Sequence, residues 1–206
     1  AFSGVLPKPK FIINTSLICD ANNLTFRALA DYYKVPQFYV DVPITADGDS
    51  IDYVAGQLRE MTAFIEDNTG KKLDMDVLKQ YAYRTKETLD NFRECLELKR
   101  NVTIPNDITS EMYEVFLTHP LLGTEDTLKY SRMLRDELKA APKKSGIRLL
   151  WMHTIPYFQA PLRDRLNFND KCQIVGCDMN IENLIDTDPE KPYESMAKRL
   201  VESGFY

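Results

Sequence analysis

The sequence predicts an α/β protein, with a parallel-sheet part toward each end joined by a helical segment. Three observations carry this. Short apolar runs rich in β-branched residues lie toward the two ends of the chain, each beside an amphipathic stretch. From Ser50 to Ala141 the apolar residues fall at helical spacing instead. A polar, punctuated stretch, Pro142-Lys143-Lys144-Ser145-Gly146, then introduces the second strand-bearing part. The expected divisions are residues 1–45, 46–145 and 146–206.

Phe11-Ile12-Ile13-Asn14-Thr15-Ser16-Leu17-Ile18-Cys19 predicts a buried strand ending near Cys19. Asp20, Asn22 and Asn23 favour a helix start directly after it, with Leu24, Phe26, Leu29 and Tyr32 or Tyr33 on the apolar face. Gln37 to Val42 predicts a second strand, stopped by Pro43. Strand, helix and strand make a βαβ unit with a right-handed crossover. Ile51, Val54, Leu58, Met61, Phe64 and Ile65 mark one face of a long helix closed by Asn68-Thr69-Gly70. A second helix starts near Met75 on Leu78, Tyr81, Ala82, Thr85, Leu89, Phe92 and Leu96, and its polar side carries the charges of a solvated face. Pro105 interrupts, a short helix follows from about Thr109 to Leu117, and Thr124-Glu125-Asp126-Thr127 caps another that runs to Ala141. Ile147 to His153 predicts a buried parallel strand, Pro161-Leu162 a short helix, Gln173 to Cys177 a further strand, and Pro192 to Ser203 a closing helix. One strand–helix–strand segment at each end is too little for a parallel sheet covered on both faces. The chain is therefore expected to be a piece of a longer protein, or to take further strands from a partner.

Composition narrows the function. The 206 residues are 44% hydrophobic and 28% charged, which argues against disordered, collagen-like and disulfide-scaffold classes. Lys+Arg number 26 against 31 Asp+Glu, a net charge of −5, so no nucleic-acid partner is expected. No apolar run approaches the ~20 residues of a membrane span, and Ala1 to Lys10 lacks the pattern of a signal peptide. A cytoplasmic protein without a membrane partner is expected. Neither G-x-G-x-x-G nor G-x-x-x-x-G-K occurs, and no G-x-S-x-G or H-E-x-x-H signature points to hydrolysis.

The four cysteines, Cys19, Cys95, Cys172 and Cys177, are too few and scattered for a disulfide framework, leaving free thiols or metal ligands. Cys19 is the principal site candidate, because an open α/β sheet places ligands where a strand ends and a helix begins. Its bland alternative is a buried core thiol. Cys172 and Cys177 bracket one strand and lie ~17 Å apart if extended, too far to share a metal. Together with Cys95, inside a long helix, they are expected to be structural thiols. His153 ends a strand, where it could meet substrate, but no carboxylate partner is identifiable in sequence and a structural role is expected. His119, before Pro120, is expected to be loop.

The residues also carry a family resemblance. Ser16-Leu17-Ile18-Cys19-Asp20 and Val35-Pro36-Gln37-Phe38-Tyr39-Val40-Asp41-Val42-Pro43 resemble the subunits of 2-hydroxyacyl-CoA dehydratases, such as the D-component of 2-hydroxyglutaryl-CoA dehydratase, and of the related benzoyl-CoA reductases. The helix-turn-helix through Thr69-Gly70-Lys71-Lys72-Leu73-Asp74, the strand Gly146 to Trp151 and the stretch Asp188 to Ala197 follow in the same order. The resemblance implies a subunit of roughly twice this length, with two Rossmann-like domains flanking a [4Fe-4S] cluster held by cysteines from separate loops. This chain would then begin late in the first domain and stop early in the second. It also implies that Cys19 is a cluster ligand, both the cofactor-binding and the metal residue, with no catalytic residue assigned. One cysteine cannot hold a cluster, so none is expected in this chain alone and the isolated chain is expected to be inactive.

The implied parent enzyme is a lyase of amino-acid fermentation that removes water from a (2R)-2-hydroxyacyl-CoA. One electron, delivered by a separate ATP-hydrolysing iron–sulfur activator, makes a ketyl radical whose β proton is far more acidic. In that scheme the cluster relays the electron and acts as Lewis acid on the substrate oxygen. The implied partners are a second homologous subunit, the activator and the acyl-CoA substrate. Dehydratase and reductase are not separable on these residues. A rival from another class is a non-catalytic interaction module, or a truncated paralogue lacking the cluster, whose helical middle packs on a partner.

Overall fold

Ile12 and Ile13 open strand β1 (Ile12–Thr15), which pairs in parallel with β2 (Gln37–Val40), Ile12 opposite Gln37 and Thr15 opposite Val40. The computed structural model describes residues 7–17, 19–102, 104, 106–143, 146–153, 156, 158–169 and 171–203. They fall into two compact units, Ala1–Leu78 with Lys191–Tyr206, and Lys79–Glu190. Ile18, Pro105, Lys144 and Ser145, on which several sequence expectations fall, lie outside the described residues.

In the first unit, helix α1 (Asp20–Tyr33) connects β1 to β2 and ends at Lys34, whose φ of 54° is left-handed and whose N–H donates to the Ala30 carbonyl. Both strands stop short of the sequence expectation, and the cause is local. Ser16 Oγ accepts the Val42 N–H at 2.8 Å and Thr15 Oγ1 accepts the Leu17 N–H at 3.2 Å, so hydroxyls replace the next rungs of the ladder. The expected apolar face of α1 is also only partly covered. Leu24 is 71% and Tyr32 54% exposed, while Ala30 is buried.

Helix α2 (Gly48–Thr69) starts at Asp47, whose side chain accepts the Ser50 N–H at 2.8 Å, and stops at Gly70, which takes φ 70°. Its inner face, Val54, Ala55 and Leu58, packs with Val40 and Val42 and with Ala197 and Val201 of helix α8 (Pro192–Glu202). Each valine or leucine here removed from water contributes about 1.5–3 kcal/mol, and each alanine methyl less, before the entropy of ordering is set against it. Thr62 and Tyr193 join hydroxyls at 3.0 Å on the edge of this contact.

In the second unit, helices α3 (Met75–Leu98, from Lys79 on), α4 (Ile108–Thr118) and α5 (Glu125–Ala140) lie with strands β3 (Ile147–Trp151) and β4 (Cys172–Cys177). The strands pair in parallel, Ile147 opposite Cys172 and Trp151 opposite Cys177, with a register shift between Leu149 and Leu150. Thr124 caps α5 as expected, accepting the Thr127 N–H at 3.3 Å. Short helix α6 (Ala160–Leu166) follows β3, and α7 (Asp178–Ile181), which the sequence did not predict, starts directly after β4. Among the described residues, Ile108, Ile174 and Cys177 form one core of the unit, and Cys95, Val102 and Leu138 another. Among the described residues between Ser50 and Ala141 there is no strand, only the single residue Val102 bridging to Lys143.

Candidate functional site

The sequence candidate in the first unit is Cys19. After the Ser16 N–H donates to the Val40 carbonyl at 2.9 Å the chain leaves the sheet, so Cys19 lies beyond the strand end rather than at it. It is the N-cap residue of α1, in extended conformation, with its carbonyl accepting the Asn22 N–H at 3.0 Å. Its side chain makes no capping hydrogen bond, and the residue is exposed. One polar link ties the first turn of α1 to the sheet, Asn14 donating to Asn23 at 3.1 Å, and Asn14 is itself held across the sheet by Gln37 of β2, which donates to it at 2.7 Å. The arrangement presents one exposed thiol on a positioned helix start near the carboxyl end of β1, where open α/β sheets bind ligands.

The other three cysteines belong to the second unit and are placed differently. Cys172 and Cys177 are the first and last residues of β4, and Cys95 sits in the α3 core. Burial pushes the Cys95 thiol up to about 11 and the Cys177 thiol up to about 12, so both stay protonated. Cys177 Sγ approaches the His153 carbonyl at 3.7 Å and Asp178 Oδ1 at 3.4 Å as a weak donor. A metal-binding thiol must be a thiolate, and this environment disfavours one. His153 is exposed with φ 67°, and its backbone N–H donates to Asp178. Asp178 thus meets the backbone of His153, whereas the partner sought in the sequence was one for its imidazole ring. His119 is more than loop. Its Nδ1–H donates to the Val115 carbonyl at 2.8 Å, which leaves Nε2 to accept from Asn183, and so it closes α4.

Sequence reasoning also missed a buried ionic group. Lys99 Nζ donates to Glu111 Oε1 at 3.1 Å and lies 3.8 Å from Glu114 Oε2, and Tyr130 OH donates to Glu114 Oε1 at 3.3 Å. Burial, partly opposed by Lys99, pushes the Glu114 carboxyl up to about 7. Burial alone would lower Lys99, but Glu111 and Glu114 more than reverse this and hold it above its ordinary value. The available signal was position. Glu111 and Glu114 share the inward strip of α4 with Ile108 and Thr118, where apolar residues are the rule.

As for a resident metal, no three His, Cys, Asp or Glu side chains among the described residues converge on one point. Cys19 can offer one ligand bond, and the described residues near it do not complete a cluster site.

Comparison with known proteins decides the family. The family model for the D-component of 2-hydroxyglutaryl-CoA dehydratase matches residues 1–205. The chain belongs to this family. It is also similar to a benzoyl-CoA reductase polypeptide of Thauera aromatica, 27% identical over 143 residues, which are 65% of this chain and 33% of that protein. This D-component family chain thus covers about a third of the length of that relative. The segment Thr69 to Asp74, one of those behind the family likeness, is held by local hydrogen bonds. Glu66 accepts the Leu73 N–H at 2.8 Å and Lys72 Nζ at 2.6 Å, and Asp74 accepts the Asp76 and Val77 N–H groups at 2.9 and 3.2 Å as α3 begins. No helix among the described residues is long and apolar enough to cross a membrane.

Proposed function

We propose that the chain is part of a subunit of an iron–sulfur (2R)-2-hydroxyacyl-CoA dehydratase that works through a ketyl radical, with benzoyl-CoA reduction as the sibling chemistry. The observation that carries this is the family match over residues 1–205. The exposed thiol of Cys19 at the start of α1 supports a role as one cluster ligand, the others coming from further sequence of the subunit. The β proton of a 2-hydroxyacyl thioester is not acidic. One electron added at the thioester carbonyl acidifies it, hydroxide and the proton leave as water, and the electron is returned, so the reaction is a net elimination. The dehydratase reading puts the subunit in the cytoplasm beside a second homologous subunit and an ATP-dependent activator.

The open sheets support a longer subunit. Parallel sheets are normally buried and several strands wide, whereas among the described residues β1–β2 and β3–β4 are pairs and α1 leaves Leu24 and Tyr32 exposed. The test is an anaerobic assay of the full-length subunit with its partner subunit, activator, ATP and reductant. Water loss from a 2-hydroxyacyl-CoA that stops without ATP is expected. Reduction of benzoyl-CoA instead would assign the sibling reaction, and an iron-loaded protein that turns over neither would contradict the proposal.

A further inference from the structure

The chain leaves the second unit through an acidic stretch, Ile185-Asp186-Thr187-Asp188-Pro189-Glu190, that is fastened along α3. Arg93 Nε donates to the Leu184 carbonyl at 3.1 Å, and Lys86 Nζ lies 3.5 Å from Asp186 Oδ1. The Glu190 carboxylate accepts from Lys79 Nζ at 2.6 Å and from the Tyr83 hydroxyl. Lys79, Tyr83, Lys86 and Arg93 are four, three and seven residues apart in turn, so they share one face of the helix and the stretch runs antiparallel to it. The last of these contacts joins Glu190, where the chain leaves the unit, to Lys79, where it enters. Along the stretch Asp186, Asp188 and Glu190 are exposed, while Thr187 and Pro189 between them are buried. Among the described residues, the apolar cores of the unit include none from Ile185 to Glu190.

We propose that Asp186 to Glu190 is an ionic latch, closed on α3 at low ionic strength and released from it as salt rises. The ionic contacts lie at the surface: the side chains of Lys79, Glu190, Lys86 and Asp186 are 38%, 57%, 40% and 75% exposed. Pairs of this kind are individually weak, and salt screens them over a distance that shrinks from about 10 Å at 0.1 M to about 3 Å at 1 M. They share one short segment, so they are lost together, as a local opening. Release also leaves two of the cations paired, because Asp90 lies 3.1 Å from Lys86 Nζ and also takes Arg93 Nη1, both within α3. Leu184 is held at its N–H as well, which donates to the Ile181 carbonyl at 3.0 Å, so the stretch pivots after Leu184. The apolar contacts of the unit are not weakened by salt, and the latch opens on a body that stays folded.

The experiment reads the latch with a reporter thiol. Thr187→Cys places one in the stretch at little cost, because the Thr187 hydroxyl is buried without a hydrogen-bond partner among the described residues. The full-length subunit carrying it is treated with N-ethylmaleimide in 50 mM and in 500 mM sodium chloride, and each cysteine is followed by peptide mass spectrometry. Labelling at position 187 should be roughly fivefold or more faster at the higher salt, while Cys95 and Cys177, 2% and 0% exposed, stay slow at both. With Lys79→Gln and Lys86→Gln added, labelling at position 187 should already be fast in 50 mM salt and change less than about twofold. Cleavage of the wild-type protein after Glu190 by a glutamate-specific endoproteinase, set against a reference peptide, gives the same salt comparison without any substitution, and it decides where a variant does not fold. Equal rates at the two salts, lysine variants no faster than their parent, or an equal acceleration at Cys95 would overturn the proposal.

Discussion

Both carboxylate oxygens of Asp178 accept the backbone N–H of His153, at 2.8 and 3.0 Å, across the carboxyl ends of two parallel strands. The same carboxylate accepts the Met179 N–H at 2.8 Å as α7 begins. His153 stands at φ 67°, a conformation that costs a non-glycine residue ~1–2 kcal/mol, and the Asp178 clamp offsets that cost.

Replacing Asp178 with Ala should therefore lower stability by about 1–3 kcal/mol in urea unfolding, while Asp178→Asn, which keeps one acceptor, should lose less. Burial would raise the Asp178 carboxyl, but the His153 N–H and its other donors hold it below the ordinary carboxylate value. The stabilisation it gives is accordingly present above pH ~3.9 and lost as the pH falls below that. Equal stability of Asp178→Ala and wild type at pH 7 would mean that the clamp contributes nothing.

Glu114 gives the opposite dependence. The folded protein holds its proton up to about pH 7, whereas the unfolded chain releases it near 4.5, so folding takes up a proton between these values. Stability from this group falls as pH rises through that window, by about 3 kcal/mol in all, and is flat above it. Lys99 adds no slope there, because its raised value leaves it charged in both states below the ordinary lysine range. Urea midpoints at pH 5.5 and pH 8 for wild type and Glu114→Gln are the measurement. The drop should shrink in the variant, and an undiminished drop would assign it to other groups.

Gly123 tests the backbone. It sits at φ 85°, and an added Cβ would lie 3.0 Å from the Tyr81 carbonyl oxygen and 3.0 Å from Thr85 Oγ1. Gly123→Ala should cost ~2 kcal/mol or more, from the left-handed penalty plus displacement of α3 backbone, and should lower the thermal midpoint by several degrees. A midpoint within about one degree of wild type would show that the turn relaxes freely.

What the sequence disclosed was the chemistry of single positions. Gly70 and Thr124 punctuate helices where backbone freedom or a side chain requires it, and Pro192 opens α8 at the position where its missing N–H costs nothing, whereas the Asp47 cap of α2 was not read from the sequence. Strand ends were less legible. They depend on which group takes the next hydrogen bond, and Ser16 does so at β1 with a side chain that could equally face solvent. Helix α7 is four residues long, too short to show a period. The Lys99, Glu111 and Glu114 group was hidden by the usual reading of helical charges as a solvated face, and only the pairing of α4 with its neighbours reveals that the strip is buried. For Cys19 the sequence located the thiol near the end of β1. Its exposure depends on the turn at Ser16 and Leu17, which no local pattern encodes.

The assignment of Cys19 as an iron ligand is tested most directly by iron and sulfide content of the full-length subunit, measured anaerobically for wild type, Cys19→Ser and Cys95→Ser beside a thermal melt. Cys19→Ser should lose most of its cluster while the cluster-free forms of variant and wild type melt alike, because an exposed side chain contributes little packing. Cys95→Ser should keep its iron and lose stability, because a hydroxyl replaces a buried thiol in the α3 core. Full iron content and full dehydration activity in Cys19→Ser would contradict the account.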